Sequence, residues 1–551
     1  MDYKKAFHSI DMEPLSYIKR FALPVIVFGF VFSFLLYFLL PNLFVGYAKL
    51  IPVLLPFLCI GFAIYYPISI ADGKAVRINN NMHYYITQMG AVATAETPRL
   101  DMIKIVSENK DYGELAEETK KIFDLVSVWN LSLADACRFI SKRTPSIIFE
   151  DFLDRFAHGL QSGENIISFL AAEQSVVMKE YEAMYEGAMY NLEVVKELFV
   201  SLVMSLIFLA SFALIMPIIT GMDAMLLMGL VVGMFVITDG VMLMFTKSKV
   251  PKDPIWSKNS ITTDSKLKMY RSVPISIIGC VLVSIPVIIY GKIPAPIALA
   301  ISLTPLVYMG FVTRKAEKGI KRRDENFPSF IRSLGSSAGA RGGLIDDALK
   351  ALRAHDFGPL TNDVNELFKR LNTRVDKSKS WEMFAAGTGS QLIQRFSVMF
   401  VEATHLGGKP DVIGDIIATN FHRIVNLRKR RFQSASSFVG VLYGLTGGIG
   451  FTLYISLGVV ELMQNMFSNM EMPPGMSMAM ILHTDIGNME LLYLMVLFIM
   501  VVHSLMSAIL IRVVDGGHVF SAAVDFVIMV WISGVSAVVT KAGVGSLLGL
   551  T

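Results

Sequence analysis

Nine long apolar stretches, separated in two places by long polar segments, constrain this chain more than any other feature of its sequence. They run approximately over 21–40, 50–70, 198–219, 224–245, 273–290, 294–312, 437–463, 491–511 and 519–539. A helix needs roughly 20 apolar residues to cross a hydrocarbon core of about 30 Å. Because backbone groups cannot remain unpaired in lipid, we expect each stretch to be helical. Prolines interrupt the fifth and sixth, at Pro286, Pro294, Pro296 and Pro305.

The expected fold class is all-α: a polytopic α-helical membrane protein with about nine transmembrane helices and two homologous cytoplasmic helical-bundle domains. Apolar residues within the polar segments recur at helical spacing, and segments of this size can bury a core of their own. The predicted parts are 1–70 (N-terminal segment and two spans), 71–197 (first domain), 198–312 (spans three to six, with a basic loop at 246–272), 313–434 (second domain) and 435–551 (spans seven to nine, with a Met-rich outer loop at 463–489).

Basic residues indicate the orientation in the membrane. The loop from Lys247 to Arg271 lies on the same side as both polar segments and carries seven Lys and Arg residues against two Asp. By the positive-inside bias, the N-terminus and both domains are expected in the cytoplasm and the C-terminus outside. We also expect the first apolar stretch to be a retained anchor, because no small-residue cleavage site follows it.

An internal repeat relates the two polar segments at a separation of about 245 residues. The corresponding positions follow one order and often match in residue type. They pair Met89-Gly90 with Leu334-Gly335, Gly113 with Gly358, Phe123 with Phe368, Phe139 with Phe384, Phe152 and Phe156 with Phe396 and Phe400, and Gly163 with Gly407. The repeat predicts two copies of one fold.

Two short motifs in these segments resemble those of the type II secretion F family. One is the helix–turn–helix pattern over 330–349 with its glycine turn, and the other is a Ser-Gly or Gly-Gly turn between helices, present in both copies. The turn positions singled out are Gly163, Gly342, Gly343, Gly407 and Gly408, since glycine tolerates positive φ. The first copy departs from the pattern at 95–100, where the turn glycine is absent. The expanded layout of spans is similar to that of the membrane platform proteins of the archaeal flagellum, in the same family.

The resemblance implies a non-catalytic platform for assembling a type IV pilin-like filament. Its implied partners are a hexameric secretion ATPase in the cytoplasm, pilin-like filament subunits and other motor-complex proteins. We also expect contact with membrane lipid, a homodimer and no nucleic-acid partner. A pilus or type II secretion platform is one alternative. A secondary transporter is another, although the repeat lies in the polar segments and not in inverted spans.

Net charge separates the two copies and indicates a docking face. Segment 71–197 has 13 Lys and Arg against 20 Asp and Glu, whereas 314–433 has 22 against 13. Such basic clusters commonly fix topology and meet lipid headgroups, but they can also steer an acidic partner. The residues predicted to dock the ATPase are Lys266, Lys268, Arg271, Lys321, Arg322, Arg323, Arg428, Lys429, Arg430 and Arg431.

No pattern in the chain predicts catalysis or a cofactor. The Gly-Lys pairs lack the Ser or Thr of a P-loop, and neither an HExxH metal motif nor a Gly-x-Ser-x-Gly nucleophile elbow is present. Three dispersed cysteines support no disulfide framework. The protein is therefore expected not to be an enzyme.

Two features of the membrane part allow alternative interpretations. Asp239 and Asp525 lie in apparent spans, where carboxylates serve helix contact more often than ion coupling. Seven methionines between Met463 and Met480 could bind Cu(I), contact apolar subunits or form an inert interfacial loop.

Overall fold

The computed structural model describes residues 3–9, 12–39, 50–257, 261, 263–468 and 488–547. Within these ranges the regular structure is helical, and one isolated bridge joins Trp256 to Ser390. The predicted Met-rich outer loop lies mostly outside the described residues. The all-α fold class is confirmed.

Helices of the first half alternate between apolar spans and the first polar segment. They are α1 Tyr3–Ser9, α2 Pro14–Tyr17, a π-helical turn Ile18–Ala22, α3 Leu23–Leu39, α4 Leu50–Ala93, α5 Arg99–Glu108, a 3-10 turn Lys110–Tyr112, α6 Glu114–Ser127, α7 Leu133–Ser141, α8 Ile147–Ser162, α9 Ile166–Thr220 and α10 Ala224–Lys249.

Helices of the second half follow the same alternation. They are α11 Asp264–Tyr290, α12 Ala295–Leu303, α13 Leu306–Gly339, α14 Ile345–Leu352, a 3-10 turn Gly358–Leu360, α15 Thr361–Asn372, α16 Lys377–Thr388, α17 Gln391–His405, α18 Pro410–Ser468, α19 Met489–Asp515, a 3-10 turn Val519–Ser521 and α20 Ala522–Leu547.

Eight helices of the described ranges are long and apolar enough to cross a membrane, and α12 with α13 forms a ninth candidate bent by 44°. The bend falls beside Pro305, where proline removes a backbone donor. The fifth stretch is one helix, α11, despite Pro274 and Pro286. This architecture confirms a polytopic membrane protein.

Four helices run without a break from an apolar span through part of a polar segment: α4, α9, α13 and α18. At 1.5 Å per residue, the 55 residues of α9 measure about 80 Å and the 59 residues of α18 about 90 Å. Since a span uses only about 30 Å, most of each helix lies outside the hydrocarbon.

The chain divides into two compact units: 1–184 with 331–351 and 398–420, and 185–330 with 352–397 and 421–551. Two pieces of the second polar segment thus belong to the first unit. There, the Asn420 amide donates to Thr87 Oγ1 at 2.9 Å, and Gly408 approaches Thr94 so closely that a Cβ would lie 2.7 Å from Oγ1. The domain division at 71–197 and 313–434 stays a prediction.

Both polar segments show the same order of helices and several equivalent contacts. Buried Tyr85 meets the Tyr112 ring edge-on at 6.0 Å, and Phe330 meets Phe357 in the same way at 5.4 Å. Helices α8 and α17 both begin with a serine cap. Ser146 Oγ accepts a hydrogen bond from Phe149 N and donates one to Asn79 Oδ1. Ser390 Oγ likewise accepts from Ile393 N and donates to Asp324 Oδ1.

One predicted residue pair of the repeat is shifted by a position. When the two copies are aligned on the helix caps Ser132 and Asp376, Phe139 corresponds to Met383, and both are exposed. Ile140 then corresponds to Phe384, and both are buried. The cause is the turn between α6 and α7, which is one residue longer than the turn between α15 and α16.

Candidate functional site

Charged side chains of the second unit gather where several spans end. We call this group the junction cluster and define it as residues 251–257, 314–324, 428–431 and 512–525. Its charged members come from α13, α18, α19 and α20 and from the loop after α10. Buried ionic groups of this kind require partners, because removing an ion from water is costly.

Arg428 lies at the centre of the junction cluster and is only 4% exposed. Its guanidinium binds Asp253 twice, from Nη2 to Oδ1 at 2.5 Å and from Nε to Oδ2 at 2.6 Å. Nη1 also donates to Asp324 Oδ2 at 3.0 Å. One side chain of α18 therefore joins the loop after α10 to α13.

Arg431, one turn later on α18, closes the end of α19. Its Nε donates to the Val514 carbonyl at 2.7 Å and its Nη2 to the Val513 carbonyl at 3.1 Å. Cations are favourable at a helix C-terminus, whose carbonyls lack intrahelical donors. Gly516 ends the helix at φ +78°, and a Cβ there would lie 2.9 Å from the Arg431 guanidinium carbon.

The predicted docking residues Arg428 and Arg431 are thus internal, which corrects the expectation that they lie on the surface. Their run of four basic residues predicts a solvated face, but the helical period brings residues three positions apart to one face, and here that face is buried. Lys429 and Arg430 are exposed instead. Lys429 pairs with Glu325 at 3.2 Å, and Arg430 pairs with Glu186.

The other predicted docking cations differ in how freely they face solvent. Lys321 contacts Asp515 at 3.3 Å and lies 3.3 Å from the centre of the Phe432 ring. Arg323 pairs with Asp363 at 2.7 Å, and Lys266 donates to the Ser257 carbonyl at 3.0 Å. Three are exposed and have no ion pair among the described residues: Lys268, Arg271 and Arg322.

Asp525 is a helix contact within the junction cluster. Its buried carboxylate lies 2.6 Å from Arg314 Nη2 and 2.8 Å from Arg512 Nη2. The Tyr443 hydroxyl also donates to it at 2.6 Å. Since residues of α13, α18 and α19 all contact this carboxylate of α20, the geometry favours helix contact over ion coupling.

Asp239 pairs with a histidine inside the membrane. His503 Nδ1 lies 3.2 Å from Asp239 Oδ2, and both side chains are buried between α10 and α19. The Phe199 ring stacks on His503 at 6.0 Å. Within the described ranges, no group of three His, Cys, Asp or Glu side chains could hold a metal ion.

The turn glycines behave as their motif predicts in four of five cases. Gly163 and Gly407 end α8 and α17 in the left-handed region, at φ +72° and +91°. Gly342 and Gly343 also have positive φ. Gly408 does not, and serves instead for the close approach to Thr94. Where the first copy lacks its glycine, Glu96 takes the left-handed conformation at φ +52°.

Sequence reasoning missed several members of these two sites: Asp324, Tyr443, His503 and Arg512. His503 carried a usable signal, because it interrupts the eighth apolar stretch. Arg512 lies one residue beyond the predicted end of that stretch. Tyr443 gave no signal of its own, since an aromatic residue in a span is unremarkable.

Comparison with known proteins gives matches in one family and over the whole chain. Residues 85–214 match the family described as type II secretion system (T2SS), protein F. The flagella accessory protein J of Methanocaldococcus jannaschii is 36% identical over 98% of this chain and 97% of its own length. That of Methanococcus voltae is 36% identical over 98% of both chains. No solved structure matches. Because the identity runs through spans and polar segments alike, this chain belongs to the flagella accessory protein J family.

Proposed function

We propose that this chain is the membrane platform on which a cell assembles an archaeal flagellum, a type IV pilin-like filament, and that it performs no catalysis itself. The observation that carries the proposal is the identity of 36% over nearly the full length of two flagella accessory proteins. The match of residues 85–214 to a secretion-system protein supports the same kind of assembly role.

A deletion strain tests this role directly. Without the chain, filaments should be absent while their subunits still accumulate in the membrane, because assembly and not synthesis is lost. A plasmid copy should restore the filaments. Normal filaments in the deletion strain would exclude the proposed role.

The orientation that suits this role places the N-terminus and both polar segments in the cytoplasm and the C-terminus outside. The basic loop after α10 supports this orientation. If the bent pair α12–α13 crosses as one span, the described residues contain nine candidate crossings, an odd number that would put the two termini on opposite sides. Single cysteines at Arg99 and at Lys292, in a chain with Cys59, Cys137 and Cys280 replaced by serine, test it. An impermeant maleimide added to intact cells should label position 292 and not 99, and the reverse labelling would refute the orientation.

The cytoplasmic partner in this proposal is a hexameric secretion ATPase. The exposed cations Arg322, Lys429 and Arg430, together with Lys268 and Arg271, offer it a basic docking surface. Lys429 and Arg430 make exposed ion pairs, which contribute little to stability and can be exchanged for a partner's carboxylates.

Motions of the ATPase would reach the spans through the long continuous helices. The junction cluster supports this because Arg428, Arg431 and Asp525 fix α18 to its neighbours where the spans end. We further infer that the spans guide pilin-like subunits into the filament base and that the chain works as a homodimer beside other motor-complex proteins.

A pilus or type II secretion platform is the second candidate. The match to a T2SS protein favours it, although that match covers only residues 85–214. Genes for flagellar subunits next to this one would support the flagellum, and pilus genes there would support the alternative.

A further inference from the structure

The turn between α6 and α7 presents an apolar surface to its surroundings. Val128 is 71% exposed and Trp129 is 74% exposed. Leu131 and, on α7, Phe139 are also exposed. Large apolar side chains that adjoin one another at a surface commonly mark a contact with a protein or a membrane.

Two ion pairs show which way α6 points. Arg77 of α4 contacts Glu114 at 2.9 Å, and Lys74, one turn nearer the second span, contacts Glu118 at 2.7 Å. The residue numbers of the paired side chains therefore increase along α6, from 114 to 118, while those of their partners on α4 decrease, from 77 to 74. Helix α6 is therefore antiparallel to α4, and its C-terminal end points toward the membrane.

Helical rise then gives the depth of the turn. The apolar stretch of α4 ends near Ile70, about 6 Å before Lys74 at 1.5 Å per residue. Ser127, the last residue of α6, lies nine residues beyond Glu118, or about 13 Å. The end of α6, and with it Trp129, is thus carried about 7 Å past the level of Ile70, where α4 enters the hydrocarbon.

A second marker agrees with this depth. Trp129 and Lys74 line an open cavity of about 390 Å³ together with His8, which precedes the first span. Tryptophan is enriched at membrane interfaces, because its ring is apolar while its N–H remains hydrated. Exposed Lys142 and half-buried Arg143 lie beside the patch, and the Arg143 guanidinium covers the Phe139 ring at 3.5 Å, as a cation reaching toward headgroups would.

The second polar segment lacks this surface at the equivalent turn. Asn130 and Arg374, both left-handed at φ +53° and +58°, mark the corresponding positions. Between α15 and α16 the turn is one residue shorter and carries Thr373, Arg374 and Val375 in place of the Trp129 sequence. The extra residue and the tryptophan belong to the first segment alone.

We propose that the α6–α7 turn, with Val128, Trp129 and Leu131, inserts into the headgroup region of the adjacent leaflet and anchors the first polar segment to the lipid surface. This anchor does not depend on which side of the membrane the segment occupies. It gives the acidic segment a membrane attachment separate from its covalent connection to the spans.

Tryptophan fluorescence tests the insertion. The full chain with Trp256, Trp381 and Trp531 replaced by phenylalanine keeps Trp129 as its only tryptophan. In nanodiscs of phosphatidylcholine brominated near the headgroup, Trp129 should lose roughly half or more of its emission, and aqueous acrylamide should quench it weakly. Strong quenching by acrylamide with no effect of the bromines would overturn the proposal and leave the turn as a protein-docking surface.

The matched control moves the tryptophan to the far end of the same segment. In the triple-phenylalanine chain with W129F and R99W added, the probe lies just past the end of α4, which is about 35 Å from Ile70. Acrylamide should quench it strongly and the bromines weakly. If the triple phenylalanine variant does not elute as a single species, a nitroxide on W129C in the cysteine-free chain measures the same depth. A label fully accessible to aqueous relaxants would again overturn the proposal.

Discussion

Arg428 and Asp253 form a doubly hydrogen-bonded ion pair, at 2.5 and 2.6 Å, between α18 and the loop after α10. The pair is buried, and Asp324 occupies the remaining side of the guanidinium. It fixes the longest described helix about two and a half turns before its apolar stretch begins at 437.

Removing the Arg428 charge should destabilise the protein strongly. R428Q leaves Asp253 and Asp324 buried without a cation, which typically costs about 3–5 kcal/mol. R428K keeps the charge but loses the double contact and should fall between R428Q and the unchanged protein. Thermal unfolding of the purified chain in detergent measures both. The control R430Q affects only an exposed pair and should change stability by less than about 1 kcal/mol. Equal effects of R428Q and R430Q would contradict the assigned role.

Replacing the Asp525 carboxylate by an amide distinguishes a role in helix contact from a role in ion coupling. D525N leaves Arg314 and Arg512 without their shared carboxylate, so we expect a marked loss of thermal stability together with a loss of filaments. Unfolding temperature and filament number measured on the same variant decide the matter. A D525N protein of normal stability that assembles no filaments would point to ion coupling instead.

Stability should depend on pH through His518, which lies in the turn between α19 and α20. Burial lowers the pKa of His518 below its ordinary value, and its Nδ1 accepts from Phe520 N at 3.2 Å. The unfolded chain therefore binds the proton more readily than the folded one, so stability falls as pH drops through the unfolded pKa of about 6.5. H518N retains a side-chain acceptor without titrating.

Unfolding temperatures at pH 7.5 and 5 measure this effect. The loss of stability between them should be smaller in H518N than in the unchanged protein. H422N, at an exposed histidine, should leave the loss unchanged. An identical pH dependence in all three proteins would show that His518 does not contribute.

Charge reversal tests the docking surface. The full chain with R322E, K429E and R430E should retain less ATPase than the unchanged chain during co-purification, and the difference should shrink at high salt because exposed charges are screened. R99E, K104E and K110E reverse three exposed cations of the first segment and serve as the control. Equal retention of the ATPase by both triple variants would show that the basic surface does not dock it. The full chain is required, because parts of the second segment pack within the first unit.

Much of this architecture follows from hydropathy alone, since a span must be long, apolar and helical. The order of helices in the repeat follows from paired glycines and aromatics. The burial of the Arg428 and Arg431 side chains could not be predicted, because a run of basic residues beside a span has the same composition whether it faces solvent or pairs with buried groups. Their partners Asp253 and Val514 lie more than eighty residues away in the chain, so no local pattern connects them.

The shifted pair Phe139 and Phe384 shows a second limit. Residue type suggested the pairing, whereas helix capping by Ser132 and Asp376 determines the register. A one-residue difference in a turn changes which face of the next helix is buried, because each residue rotates the helix by about 100°.

We infer that continuous helices carry motion from the polar segments to the spans, and a flexible insertion in α18 would break this connection. A Gly-Gly-Ser insertion between Gln433 and Ser434 should interrupt the helix just after the junction cluster. The same three residues added after Thr551 serve as the control. With normal amounts of protein in the membrane and undiminished ATPase retention, we expect filaments counted by electron microscopy to disappear for the α18 insertion and to persist for the control. Normal filament numbers for the α18 insertion would contradict it.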